Sequence, residues 1–321
     1  MGSDEEAWEM PGGGWLVYLG IGNPASARLS SVVRGTMTNV DQFESVFRAA
    51  AKEIYVPRPV ALRRVLCLHD LDGPELDAFE ACVRKFLEVL REAIDWSFVS
   101  ATEFTDLDAL LKQMEERSPD LILTYRGLLS EGRGWVYSLG EYLDVLTQTA
   151  PFPVLVVPHP ADEDAWVGRQ PELCRTMALT DHLAGESRLV DWAHRFTKVE
   201  GGVLFLAHIE DEFTFERFIQ AISKIPAIDT EVARETVQTQ LLKEPTDYIE
   251  SCRKVLLDRG EHIETHGIVR MGKRLDAVRS LVSQHRVDLI VMNTKDDDQL
   301  AMHGLAYPLA VELRGVAILM L

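Results

Sequence analysis

The chain has 321 residues, of which 46% are hydrophobic and 26% charged, the composition of an ordinary soluble globular protein with the length for two domains. Its 51 acidic residues against 33 basic ones leave a formal charge of −18, which argues against a nucleic-acid partner because phosphate binding needs clustered Lys and Arg. No apolar run approaches the roughly 18 residues of a membrane span, and Met1–Gly14 lacks the basic and apolar parts of a signal peptide, so we expect no direct membrane insertion and a cytoplasmic setting.

Short β-rich apolar runs alternate with longer segments of helical period, the pattern of βαβ units around a parallel sheet. In the first half the runs predict strands at Trp15–Ile21, Arg64–His69, Trp96–Ala101, Leu121–Thr124 and Val154–Val157. Helices are predicted near Asp41–Ile54, Glu75–Ile94, Asp106–Arg117 and Val136–Thr149. Leu76, Phe79, Val83, Phe86, Leu87, Leu90 and Ile94 make one apolar stripe, and Leu107, Leu110, Leu111 and Met114 another, which are core-facing surfaces. Thr105 is the expected cap of the second of these helices. Gly20-Ile21-Gly22-Asn23-Pro24 reads as a turn, since Ala25 stands where a dinucleotide fingerprint needs its third glycine.

From His159 to Glu172 the chain is rich in Pro, Asp and Glu and loses its period, so residues 159–172 read as a linker between domains 1–158 and 173–321. The alternation then restarts, with strands expected at Thr176–Thr180, Val203–Ile209, Ile263–Val269, Leu289–Met292 and Val316–Leu321. Helices are expected at Ser187–Thr197, over Thr214 to Asp258, at Arg274–Gln284 and in pieces between Asp298 and Arg314. Pro226 and Pro245 should break the long stretch, because proline lacks a donor and clashes inside a helix. Pro308 marks the start of a short helix. Cys67, Cys82, Cys174 and Cys252 form no C-x-x-C pair and read as free thiols rather than a disulfide or zinc framework.

Val287-Asp288-Leu289-Ile290-Val291-Met292 resembles the fourth strand of universal stress proteins, and Pro119-Asp120-Leu121-Ile122-Leu123 is its counterpart in the first half. Gly140-Glu141-Tyr142-Leu143 through Ala150-Pro151-Phe152-Pro153-Val154-Leu155-Val156-Val157 is similar to the last helix and terminal strand of that family. Met177-Ala178-Leu179-Thr180-Asp181 is similar to its first strand, which commonly ends in Asp. The resemblance implies an α/β fold of two tandem doubly wound domains of the adenine nucleotide alpha hydrolase-like class, each a five-stranded parallel sheet with helices on both faces. It also implies an intrachain pseudo-dimer through Val154–Val157 and Val316–Leu321, with two sheets meeting rather than one continuous sheet. A final edge strand exposes unpaired backbone groups, which a second such strand satisfies. A further homodimer is compatible with this arrangement.

Many members of that family bind ATP through a loop of pattern G-x-x-G-x9-G-[ST] after strand four, where glycines let backbone N–H groups reach the phosphates. In the second half Asn293, Asp296, Ala306 and Tyr307 occupy those positions, and Asp296-Asp297-Asp298 sets carboxylates where a polyphosphate would lie. The first-half loop keeps only part of the frame, through Gly127, Ser130 and Gly140, with Glu141 in place of the hydroxyl. Tyr125, Arg126, Gly127, Ser130, Gly132, Arg133, Gly134 and Gly140 are therefore the candidate anion or nucleotide loop, and Asp181 and Asn293 the candidate residues of the second crevice. His262, Glu264 and His266 alternate on one strand face but lack a third ligand.

No G-x-S-x-G, H-E-x-x-H or P-loop motif is present, so no catalytic residue and no metal ligand is assigned. The expected function is that of a non-catalytic sensor or adaptor in stress response, acting through protein partners and holding no cofactor. The alternative is a nucleotide-binding signalling module with one adenine nucleotide in the first domain, and a weak nucleotide hydrolase ranks below both.

Overall fold

The computed structural model describes residues 54–91, 93–104, 106–129, 139–160, 166–169, 171–180, 184–261, 263–294 and 306–321. The first half supplies β1 (Arg64–His69), β2 (Asp95–Ser100), β3 (Leu121–Tyr125) and β4 (Val154–Val157). The second supplies β5 (Arg175–Thr180), β6 (Val203–Asp211), β7 (Glu264–Gly272), β8 (Leu289–Met292) and β9 (Ala317–Met320). Every residue of β3, β4, β8 and β9 is buried, which is why these strands read as continuous apolar runs rather than alternating ones.

The strands hydrogen-bond in the order β2-β1-β3-β4-β9-β8-β5-β6-β7. All neighbours are parallel except β4 and β9, which run antiparallel with Val154 opposite Met320 and Leu155 opposite Leu319. The expected edge pairing is present, but the expectation of two separate sheets is corrected: hydrogen bonding between β4 and β9 fuses the two halves into one sheet. Both edges are short, fully apolar strands, and only direct ladder bonds satisfy their backbone groups away from water.

A second correction concerns the first half. The expected strand Trp15–Ile21 lies outside the described residues, as does the helix near Asp41–Ile54 apart from Ile54. The central slot beside β3 belongs to β1, with Val65, Leu66 and Cys67 opposite Leu121, Ile122 and Leu123. Arg64–His69 thus holds in the first half the slot that β5 holds in the second. An internal repeat of backbone brackets fixes the equivalence. Asp120 Oδ2 accepts from the N–H groups of Arg63 and Arg64 at 2.9 Å each, and Asp288 Oδ2 accepts from those of Cys174 and Arg175 at 3.0 and 2.7 Å. Each Asp, one residue before its strand, ties the start of the strand in that slot, so Tyr125 and Asn293, five residues on from each, are counterparts.

Helices α1 (Gly73–Phe86), α2 (Leu107–Arg117) and α3 (Glu141–Thr149) belong to the first half. Phe79, Cys82, Val83 and Phe86 form the buried stripe of α1. The cap of α2 is Asp106, whose Oδ1 accepts from Ala109 N–H at 2.8 Å, one residue later than the expected Thr105. A short α4 (Trp166–Arg169) lies within the linker, and the Trp166 ring stands edge-on to Phe86 at 5.1 Å, so this stretch packs on the first half.

In the second half α5 (Ser187–Arg195), α6 (Glu212–Ile222), α7 (Thr230–Asp258), α8 (Arg274–His285) and α9 (Ala306–Glu312) complete the chain, with Pro308 inside α9. Pro226 separates α6 from α7 as expected, but Pro245 does not break α7, which continues for 29 residues. Proline leaves the carbonyl four residues back without its usual donor. Beside it Thr246 Oγ1 donates to Leu242 O at 2.6 Å, and Pro245, Tyr248, Ile249 and Cys252 are buried, so packing holds the helix through the proline.

The close approach of α7 to β7 depends on Gly267, where an added Cβ would lie 2.6 Å from Ile249 Cγ2. Gly267→Val should therefore destabilise the chain by about 1–3 kcal/mol, the usual cost of overpacking. Urea unfolding checks this, and a midpoint equal to the parent's would refute the tight contact.

The halves are tied by more than the central ladder. Arg195 Nη2 donates to Leu90 O at 2.7 Å, joining α5 to the first half. The segment before β1 crosses to the second half, where buried Tyr55 donates its hydroxyl to Asp191 Oδ1 at 2.6 Å and Arg58 N–H donates to Asp191 Oδ2 at 3.1 Å.

Candidate functional site

From β1 the chain passes outward to β2 and then returns to the other side of β1 as β3. The winding direction therefore reverses between β1 and β3, and their carboxyl ends are where a doubly wound sheet binds ligands. His69 ends β1 and is followed by Asp70, while Tyr125 ends β3. Tyr125 is fully buried, with its ring edge-on to Phe79 at 5.2 Å and to His159 at 5.1 Å.

The Tyr125 hydroxyl donates to Asp70 Oδ1 and accepts from Asp70 N–H at 2.8 Å, and Leu129 N–H donates to Asp70 Oδ2 at 3.1 Å. Both carboxylate oxygens at the switch point are thus engaged by the chain itself. Burial first, and then the hydrogen bond to Asp70, push the Tyr125 phenol well above its ordinary value, so it stays a donor. His69 is buried and its Nδ1–H donates to Leu71 O at 3.2 Å, which assigns the tautomer from the contact and turns the ring back on its own loop.

After β3 the loop bends at Gly127, whose φ of +74° suits glycine and whose N–H donates to Leu139 O at 3.0 Å. Arg126 is buried, and its Nη2 donates to Leu313 O at 2.8 Å, beyond the last turn of α9 in the other half. The guanidinium complements the negative end of that helix and braces the two halves. Gly140 precedes α3 with φ +104°. Ser130, Gly132, Arg133 and Gly134 lie outside the described residues. The structure therefore brings Tyr125 and Gly127 together at the switch point and directs Arg126 across the interface.

At the second crevice Asn293 Nδ2 donates to Glu186 Oε2 at 2.8 Å. Next to it, Thr294 N–H and Oγ1 both donate to Leu321 O, at 3.1 and 3.0 Å, closing the end of β9 over β8. Asp181 and Asp296 to Asp298 lie outside the described residues, and so does His262. His266 shares a 2.7 Å contact with Glu264 and stacks on Phe205 at 5.6 Å. Among the described residues no three His, Cys, Asp or Glu side chains group as metal ligands. No helix among them is long and apolar enough to cross a membrane.

The four cysteines are free, and burial raises the thiols of Cys82 to about 11 and Cys252 to about 12, which keeps them protonated and unreactive. Asp70 was not singled out from sequence. Its signal was the internal repeat: Val65-Leu66-Cys67-Leu68-His69-Asp70 has the apolar-strand-then-Asp form seen in Met177 to Asp181.

No family model matches the chain, and no curated protein matches its sequence. Among solved structures, it is similar to a universal stress protein from Archaeoglobus fulgidus DSM 4304, at 14% identity and a TM-score of 0.45 over 81% of this chain and 86% of that one. It is likewise similar to a protein from Pseudomonas aeruginosa UCBPP-PA14 provisionally called a universal stress protein, at 13% identity and a TM-score of 0.47 over 81% and 93%. A protein of unknown function from Pseudomonas aeruginosa PAO1 stands at 13% identity and a TM-score of 0.46 over 81% and 92%.

Proposed function

We propose that this chain is a non-catalytic tandem protein of the universal stress type, a sensor or adaptor that works through protein partners and does not depend on bound ATP. The observation that carries the reading is the engagement of Asp70 by Tyr125 and Leu129 at the first-half switch point. A nucleotide entering there would have to displace a buried aromatic ring and two hydrogen bonds to a carboxylate, and bonds to charged groups are worth about 1.5–3 kcal/mol each. Arg126, one of the two arginines of the candidate loop, is directed to Leu313 instead. In the second half Asn293 is held by Glu186, which adds a carboxylate where phosphates would need donors.

Calorimetry on the full chain with ATP, ADP and AMP, with and without Mg²⁺, tests the reading. No binding is expected at tens of micromolar nucleotide. Micromolar affinity for any of them, roughly −8 kcal/mol, would overturn it and restore a nucleotide-responsive module.

A further inference from the structure

Beyond β6 the second half carries a helical arm whose buried Phe215, Ile219 and Ala233 stand apart from the main core. α6 leaves the end of β6, the chain turns around Pro226, and the first half of α7 lies along α6. Phe215, Phe218 and Ile222 recur at helical spacing on α6, and Ala233, Val237 and Leu241 do so on α7. These stripes do not meet in a closed seam. They line a partly open cavity of about 580 Å³, within the size range of small-molecule sites.

The small side chains of Ala221 and Ala233 leave this room, and Phe218 and Ile225 on its walls remain 55% and 47% exposed, an unusual cost for a solvent-facing arm. The walls are pre-set. Arg234 donates to Glu216 across the two helices through Nη1 and Nη2, the latter at 2.9 Å, and its guanidinium lies over Phe215 at 5.7 Å. Water would find few of the two to four polar partners it needs among these side chains, so the space suits an apolar body.

Charge narrows the occupant. Among the described residues Glu210 is the one charged residue lining the cavity, at the end of β6, where it also contacts His208 at 3.2 Å. The arm from 212 to 241 carries five acidic and three basic residues, on a chain of charge −18. That field opposes both an anionic head group and a second copy of the same acidic arm. We propose that the α6–α7 arm binds an amphiphile with a single aliphatic tail, its tail in the cavity and a cationic head group beside Glu210.

The test uses the full chain and the neutral fluorophore N-phenyl-1-naphthylamine, displaced by dodecylammonium or dodecanoate below their micelle concentrations. Saturable fluorescence is expected, with dodecylammonium displacing the probe at a concentration at least tenfold lower than dodecanoate. Ala221→Trp should weaken the probe at least tenfold by filling the cavity, and Ile225→Asn, at an exposed wall position, should do the same if the first variant misfolds. Glu210→Gln should keep probe binding and abolish the head-group preference. Absence of saturable binding, or unchanged affinity in a folded cavity variant, would overturn the proposal. Equal displacement by the two amphiphiles would do so too, as would a parent dimer that Ala221→Trp dissociates, since the occupant would then be a second copy.

Discussion

Tyr125→Ala should destabilise the chain by about 3–5 kcal/mol, the cost of deleting a large, fully buried aromatic side chain. The ring sits between Phe79 and His159 and reaches Asp70, so the loss combines a cavity with the removal of the hydroxyl donor to Asp70 Oδ1. Tyr125→Phe separates the two effects. It keeps the ring and removes the donor, and should cost about 1.5–3 kcal/mol for a hydrogen bond to a charged group. Guanidinium unfolding of both variants is the measurement, and a Tyr125→Phe midpoint equal to the parent's would show that Asp70 does not depend on the hydroxyl.

The same residue carries a pH signature. Its folded pKa is raised, so the native state holds the phenolic proton where the unfolded chain releases it, near pH 10. Its contribution is complete below about pH 10 and is lost as pH rises beyond that value. Tyr55 and Tyr248, raised chiefly by burial, act in the same direction. Stability should therefore fall steeply in alkali, and less steeply in Tyr125→Phe.

The second large effect is expected at Asp191. Asp191→Ala strands the buried Tyr55 hydroxyl and frees the half-buried Arg58 N–H to water, and should cost about 1–3 kcal/mol for the one unsatisfied buried donor. Tyr55 ties the segment before β1 to α5 and α7, through Asp191 and through its own N–H to Ser251 Oγ at 3.2 Å. Limited proteolysis should accordingly cut near Arg58 sooner in the variant. Burial is the leading influence on the Asp191 carboxyl and raises its pKa against the pull of Tyr55 and Arg58. The native state then binds this proton more tightly than the unfolded chain, so the group's contribution is full below about pH 4 and declines as pH rises through the folded value. The cost of Asp191→Ala should thus be larger at acid than at neutral pH, and urea titrations at both check the sign.

The parallel αβ alternation was legible because buried parallel strands are continuous apolar runs and their covering helices keep one stripe, as in β3 and α1. The terminal pairing was legible for the same reason: Val154–Val157 and Val316–Leu321 are too apolar to remain an open edge. Pro245 misled because local propensity ignores the packing of Ile249 and Cys252 that carries α7 through it. The direction of Arg126 was not legible, because its reach across to Leu313 depends on the other half of the chain.

The sequence by itself determined the class of fold and the repeat, since periodicity and residue type are local properties. Which strand holds the centre of the first half, that Tyr125 engages Asp70, that Asp191 holds Tyr55, and that α6 and α7 leave a cavity were decided by the tertiary structure alone. These pairings join residues 55 and 136 positions apart in the chain, and a hydrogen bond between distant residues has no signature in local spacing.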